Sequence, residues 1–315
     1  MSAKVAPGMV VRSATQADLP RLLASADLVF RHPTRPGLGS MGHDYPLLFH
    51  PDNAPNLSLV EAPGGEIIAH AGFVLRPAEI LGQRLQVACF GSVFTLPEHR
   101  NHGLATAVLG AAVERAQRLG TDLGLVSGAR GLYERAGFSP FPPCVRYRIR
   151  RTQDASDQGS DGLVAYSEAA LAELMDIQAQ EPVRFVRSAD DWRRVMGTGV
   201  VFFEPGEVFL VKTGNTPVAY VAVGHPEPDG SGPSRARILE IGGSRAAIAG
   251  AARPLLSRLG VDELEILLGS HDQSLDPFAA QLGWQRERVW MPFTCAFFNP
   301  RFEGLPPPFF GLNYV

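Results

Sequence analysis

The sequence predicts a mixed α/β protein built from two similar domains in tandem. Three observations predict it. Strand-like and helix-like runs follow the order β-α-β-β-β-α-β-α through the first half, and a similar order returns in the second. The two halves share local wording: Arg118-Leu119-Gly120-Thr121-Asp122 matches Arg258-Leu259-Gly260-Val261-Asp262. Each match leads into a strand, a short helix and then a glycine plus an aromatic, Gly137-Phe138 and Gly283-Trp284. Finally, 315 residues is a length that two domains of ordinary size fill.

Residues 10–12 read as a short strand, and Ser13 or Thr15 offers a cap for a helix at 19–30. A loop rich in Pro, Gly and His follows at 31–56. Strands at 57–61 and 67–75 flank the turn Pro63-Gly64-Gly65, and Gly82 marks the next turn. Residues 85–95 are apolar without clean alternation, as a central strand covered on both faces must be. Leu104, Val108, Ala111 and Ala112 recur at helical spacing over 103–119, and Gly120 stops the helix. A strand at 123–126 and a short helix at 130–136 complete the half.

The polar stretch 151–162 (RTQDASDQGSDG) lacks apolar residues and reads as a linker between domains at 1–150 and 163–300. Beyond it come strands at 208–212 and 217–223 around Gly214-Asn215 and a strand at 237–241. A helix at 246–259, a strand at 263–268 and a short helix at 276–282 follow. The tail 301–315 ends in PPPFFGLNYV, apolar and aromatic enough to pack back on the domains.

Bulk properties exclude several classes. Apolar residues make up 45% and charged ones 19%, with a net charge of −3, so no strongly basic face points to nucleic acid. Cys89, Cys144 and Cys295 lie far apart, without metal-ligand spacing or a paired framework. That pattern suits a reducing, cytoplasmic setting and no metal. Residues 1–10 lack a signal-peptide pattern, and no apolar run approaches the ~20 residues that span a bilayer. Oligomeric state is left open, a homo-oligomer included.

The chemistry concentrates at Val93-Phe94-Thr95-Leu96-Pro97-Glu98-His99-Arg100-Asn101-His102-Gly103-Leu104-Ala105-Thr106, where the central strand turns into the long helix. Pro97 ends the strand. Gly103 and Ala105 keep the helix start free of bulk. Its unpaired N–H groups and dipole suit a pyrophosphate, and Arg100 adds charge.

These residues resemble the GNAT acetyltransferase family. Its signature, Gln/Arg-x-x-Gly-x-Gly/Ala after the fourth strand, is satisfied by Arg100-Asn101-His102-Gly103-Leu104-Ala105. Downstream, Leu132-Tyr133-Glu134-Arg135-Ala136-Gly137-Phe138 is similar to the family's other common element. The resemblance covers roughly 9–150 and implies acetyl-CoA as acetyl donor and an amine as acceptor. It places the pyrophosphate on the amides of Arg100, Asn101, His102, Gly103, Leu104, Ala105 and Thr106. The pantetheine arm falls along Val93, Phe94 and Thr95, with the thioester carbonyl on the N–H of Thr95 or a neighbour. Tyr133 becomes the acid that protonates the departing thiolate. The tandem arrangement resembles the Eis-type acetyltransferases, whose second domain is degenerate, although the chain is too short for their usual third, sterol-carrier-like domain. In that group the chain's own C-terminal carboxylate reaches the active site, which makes Val315 a candidate base.

Counting back without gaps from the shared Arg-Leu-Gly sets Gly103 on Gly243, Ala105 on Arg245 and Arg100 on Glu240. A carboxylate there repels phosphate, so the second half reads as a scaffold or substrate wall. An alkyl ammonium has a pKa of about 10, so a proton must be removed before attack. The central strand carries no carboxylate, which leaves Glu61, His70 and Asp44 as alternatives, or a chain of waters. Ser127 is as well suited to capping the next helix as to touching coenzyme A. Cys89 reads as an inert buried thiol.

Three functions fit these residues: an N-acetyltransferase on a small amine, a protein or peptide N-acetyltransferase, and an acyl-CoA-binding regulatory or scaffold protein without turnover. Tyr133 favours the enzymes.

Overall fold

The computed structural model describes residues 10–31, 39–151, 162–226 and 232–313. The first half runs β1 (Val11–Ser13), α1 (Leu19–Phe30), α2 (Met41–Asp44), β2 (Leu57–Glu61), β3 (Ile67–Ile80) and β4 (Gln83–Thr95). It continues α3 (Leu104–Arg118), β5 (Leu123–Val126), α4 (Gly131–Arg135), β6 (Ser139–Pro140) and β7 (Cys144–Arg150). The second half begins β8 (Leu163–Ala165), α5 (Leu171–Gln178), β9 (Val183–Phe185), α6 (Ala189–Met196), β10 (Val200–Val201), β11 (Glu204–Thr213) and β12 (Thr216–Gly224). It ends β13 (Arg235–Gly243), α7 (Arg245–Leu259), β14 (Glu263–Gly269), α8 (Asp276–Leu282), β15 (Gln285–Val289) and β16 (Thr294–Phe297).

The strands form two mixed sheets, as the α/β reading requires. One runs β1-β2-β3-β4-β5-β16-β6, with β9 on the far end of β3. The other runs β10-β11-β12-β13-β14-β7-β15, with β8 beside β11. In each, a single parallel pair, β4–β5 or β13–β14, sits among antiparallel ones. Each parallel pair is bridged by a 15-residue helix, α3 or α7, because parallel neighbours need a crossover.

Sheet membership departs from a division of the chain at 150 in three places, the first being β9, from the second half, which pairs with β3 of the first sheet. β7, from the first half, lies in the second sheet between β14 and β15. β16, from the second half, lies in the first sheet between β5 and β6. Side-chain alternation explains β7. Val145, Tyr147 and Ile149 enter the second core, while Arg146 and Arg148 face outward onto Glu265 at 3.4 and 3.2 Å. Glu265 is fully buried, and Arg237 of β13 holds it at 3.2 Å as well, so cations from both neighbouring strands surround the carboxylate. For β16, the neighbouring Phe298 explains the fit. A Cβ on Gly124 of β5 would stand 2.8 Å from its ring, so only glycine lets it close on Phe138.

The tail adds a third tie. Phe310 is fully buried, its ring 6.1 Å from that of Phe141, 5.9 Å from Phe202 and 5.1 Å from Phe293. Residues 152–161 of the sequence-predicted linker and the C-terminal Val315 lie outside the described residues.

Candidate active site

β4 and β5 pair only from Val87–Leu123 to Phe90–Val126. β5 then ends, while β4 runs on to Thr95 with β3 as its one described neighbour. The edge from Gly91 to Thr95 is thus open on the side where β5 has turned away. A bulge marks the parting. Gly72 faces Gly91 and His70 faces Phe94, so Ser92 and Val93 together oppose Ala71. Ser92 takes a positive φ of 54°, a conformation that costs a non-glycine residue about 1–3 kcal/mol.

The strand leads through a one-turn 3-10 helix, Pro97–His99, into the loop before α3. Asn101 and Gly103 both adopt left-handed backbone, with φ of 67° and 74°. This doubled turn delivers the chain to α3 with Gly103 at the N-cap and no side chain capping the first turn. The amides there remain available to an external acceptor, on the positive end of a 15-residue helix. Asn101, His102 and Gly103 are exposed, Leu104 is buried, and Ala105 and Thr106 are half-buried. Arg100 is exposed, and its Nε reaches back to the Thr95 carbonyl at 3.4 Å.

Of the strand residues, Val93 and Phe94 turn their side chains into the core. Phe94 packs against Phe30 and His70, with centroids at 6.1 and 5.6 Å. Only their backbone can face a ligand. Ser127 follows β5 directly and is half-buried.

Tyr133, on α4, is 7% exposed. Burial raises its phenol pKa above the ordinary value, against a smaller opposing effect of Arg130. Its ring rests on the backbone at the end of β5: a Cβ on Gly128 would stand 2.6 Å from Tyr133 Cε2 and 3.4 Å from its hydroxyl. The phenol is thus protonated at neutral pH and sits where β4 and β5 part.

The base candidates separate cleanly. Glu61 is held by Arg21 and Arg12 at 2.9 and 2.6 Å, and those bonds lower its pKa, Arg21 foremost. Asp44 is buried, paired with Arg31 at 2.8 Å, and also bonded to His43 and the Gly39 amide. Both carboxylates are already engaged by arginine side chains. His70 is fully buried, and burial brings its pKa down to about 4. Cys89 is a buried thiol pushed up to about 12 by desolvation. Glu66, Glu98 and His99 bring ligand atoms together at the surface, but exposed acidic groups alone do not make a metal site.

The second domain repeats the geometry and closes it. β13 and β14 pair only as far as Ile238–Ile266 and then part. Here β13 reaches α7 through Ser244 alone, whereas residues 96–103 separate β4 from α3. Arg100 therefore has no counterpart, which corrects the gapless count that set it on Glu240. Glu240 lies within β13, gripped by Arg187 at 2.6 and 2.8 Å, by the Tyr220 hydroxyl at 2.8 Å and by the Leu312 amide at 2.9 Å. Burial works to raise its pKa, and Arg187 overcomes this to leave it lowered. A Ser244 side chain caps α7. Pro308 and Phe309 of the tail lie across the opening, leaving a cavity of about 70 Å³.

On the first domain's side, the segment after α2 meets the second domain. Tyr45, Pro46 and Leu47 share a small cavity with Val195, Val200 and the tail residue Leu312.

Comparison with known proteins bears on the fold. Residues 30–138 match the model of the acetyltransferase (GNAT) family. The whole fold is similar to a GCN5-related N-acetyltransferase from Anabaena variabilis, with a TM-score of 0.66 at 12% identity over 92% of this chain and 72% of that one. It is similar to another from Kribbella flavida, with a TM-score of 0.61 at 15% identity over 92% and 71%. It is also similar to Eis1 from Mycobacterium abscessus, with a TM-score of 0.58 at 15% identity over 92% and 73%. No curated protein matches in sequence. No helix among the described residues is long and apolar enough to cross a membrane.

Proposed function

We propose that this chain, an acyltransferase whose first domain belongs to the acetyltransferase (GNAT) family, moves an acetyl group from acetyl-CoA to the primary amine of a small molecule. The observation that carries the reading is the parting of β4 from β5 directly before an uncapped helix N-terminus. A diphosphate fits the amides from Arg100 to Thr106, and an extended amide-bearing arm can add to the free edge of β4 as a strand does. The thioester then lies at the Ser92–Thr95 bend, beside Tyr133.

A neutral amine attacks the thioester carbonyl, and its C–O π pair moves onto oxygen, where backbone N–H groups of the β4 edge can stabilise it. The oxygen pair returns, the C–S bond breaks, and the thiolate takes the Tyr133 proton. Water accepts the proton the amine sheds and returns a proton to the Tyr133 phenolate, which closes the cycle. Burial keeps the phenol protonated, which suits an acid better than a base.

The small acceptor follows from the surroundings. The second domain and the tail residue Leu312 meet the first domain at Tyr45–Leu47, and a compact amine suits a first domain packed against a second in this way. The test is a thiol-release assay with acetyl-CoA and a panel of amines, aminosugars and peptides. Turnover with small amines is expected. Turnover with peptides alone would point to the protein-directed reading, and coenzyme A binding without turnover on any acceptor would point to a scaffold.

A further inference from the structure

We infer that His70 is a positioning residue that sets the acyl-transfer register of β4, a reading that rests on the proposed acetyltransferase function. His70 sits on β3, directly across from Phe94. Its Nδ1 lies 2.7 Å from the Ser92 carbonyl, which can only accept, so Nδ1 carries the proton and donates. Nε2 is then a bare acceptor, and it is buried with no partner. The ring is fully enclosed, stacked on Phe49 at 6.2 Å and tilted against Phe94 at 5.6 Å. Room for it is made by Gly72, where a Cβ would come within 3.2 Å of Cε1 and Nε2.

The bond lands on the one residue of β4 whose backbone is left-handed, Ser92 at φ 54°. Ladder pairing with β5 has stopped at Phe90, so the bulge has support from one side only. A trans peptide holds its N–H opposite its C=O. Holding the Ser92 carbonyl against the imidazole therefore also fixes where the Val93 N–H points. That peptide lies on the free edge where the thioester is proposed to rest. A buried, half-satisfied imidazole is an expensive way to brace a strand, since Nε2 forfeits its hydration without a replacement partner. A leucine would fill the same volume without that cost. The donor at Nδ1 is what a leucine cannot supply.

The experiment compares the wild type with His70→Leu and His70→Asn in thiol release, acetyl-CoA calorimetry and thermal unfolding. His70→Leu is expected to lose at least about tenfold in kcat, a factor worth roughly 1.4 kcal/mol. Its Kd for acetyl-CoA should stay within about threefold, because the amides of α3 are untouched, and its Tm should match or exceed the wild type. His70→Asn, whose side-chain N–H can reach the Ser92 carbonyl, should recover most of the rate. Unchanged turnover in His70→Leu overturns the assignment, as does equal loss in both variants, which would mean that Nε2 itself acts as a base or that the site tolerates no change. If His70→Leu does not fold, His70→Asn decides alone: near-normal kcat upholds the inference and a tenfold loss refutes it. A wild type that turns over no amine refutes the acetyltransferase reading and this inference with it. A turning-over wild type with an indifferent His70 refutes only the latter.

Discussion

The Glu181 carboxylate accepts the Gly243 amide at 2.7 Å, at the threshold of α7 where the first domain keeps its amides open. Arg245, the first residue of that helix, holds the same carboxylate at 2.7 Å and Asp272 at 2.9 Å. The second domain thus carries its own anion at the position a pyrophosphate would take. With Ser244 as cap and the tail across the β13–β14 opening, the cavity of about 70 Å³ that remains is too small for a nucleotide. Native mass spectrometry at saturating coenzyme A should show one ligand per chain, and two per chain would contradict this account of the second domain.

Tyr133→Phe removes one hydroxyl from a mostly buried ring. General acid catalysis is worth about 10²–10⁴ in rate, so kcat should fall by roughly that much while coenzyme A affinity and Tm stay close to the wild type. The raised phenol pKa also keeps the acid protonated past its ordinary value near 10. The wild type should therefore lose no rate to Tyr133 ionisation at moderately alkaline pH. Steady-state kinetics over a pH series checks both statements.

His70 makes a prediction about stability as well. Its folded pKa is about 4, against 6.5 for the free side chain, with burial the leading cause and the Ser92 bond opposing it. Between those values the unfolded chain binds the extra proton and the folded one does not, so stability rises with pH across this window. The histidine contribution is fully present above pH 6.5 and lost as pH falls through 4. It amounts to about 3 kcal/mol at ~1.4 kcal/mol per unit. Chemical denaturation at pH 4.5 and 7.5 should show a smaller difference for His70→Leu than for the wild type.

The exchanged strands predict that the halves cannot be separated. A fragment ending at Arg151 leaves β7 without β14 and leaves β5 without β16. It should be insoluble or unfolded by circular dichroism. Conversely, cleavage at a protease site placed within 152–161 should leave two pieces that co-elute under native conditions.

The tail belongs to the same core. Phe310 touches Phe141 from the first half and Phe202 and Phe293 from the second. Truncation to alanine should cost about 3–5 kcal/mol, readable as a clear drop in Tm.

The first domain was largely legible in the sequence because its elements carry strong local signals. Apolar runs marked β2, β3 and β4, helical spacing marked α3, and Gly120 and Gly137 marked the helix ends. The loop at Arg100–Gly103 was legible as a tight turn into a helix, although its doubled left-handed geometry at Asn101 and Gly103 was not. The 31–56 loop contains α2 and a 3-10 turn at Pro51–Asn56, too short for any periodicity to register. The α6 helix carries a readable sign in the sequence, the Ser188–Asp191 capping box. What could not be read locally were partners. Nothing in Cys144–Arg150 says that its arginines will meet Glu263 and Glu265 rather than a first-domain strand. The gapless count between the halves failed for a similar reason, since Ser244 alone replaces the loop 96–103. His70 and Ser92 are distant in sequence, and neither residue type advertises a bulge.

The central claim is that the amides between Arg100 and Thr106 hold the diphosphate of acetyl-CoA, and titration calorimetry of wild type against Gly103→Val tests it most directly. Gly103 has a φ of 74°, which a β-branched residue resists. The account predicts a one-to-one binding isotherm for the wild type and at least a tenfold weaker one for the variant. No heat with the wild type, or equal affinity in both proteins, would contradict it.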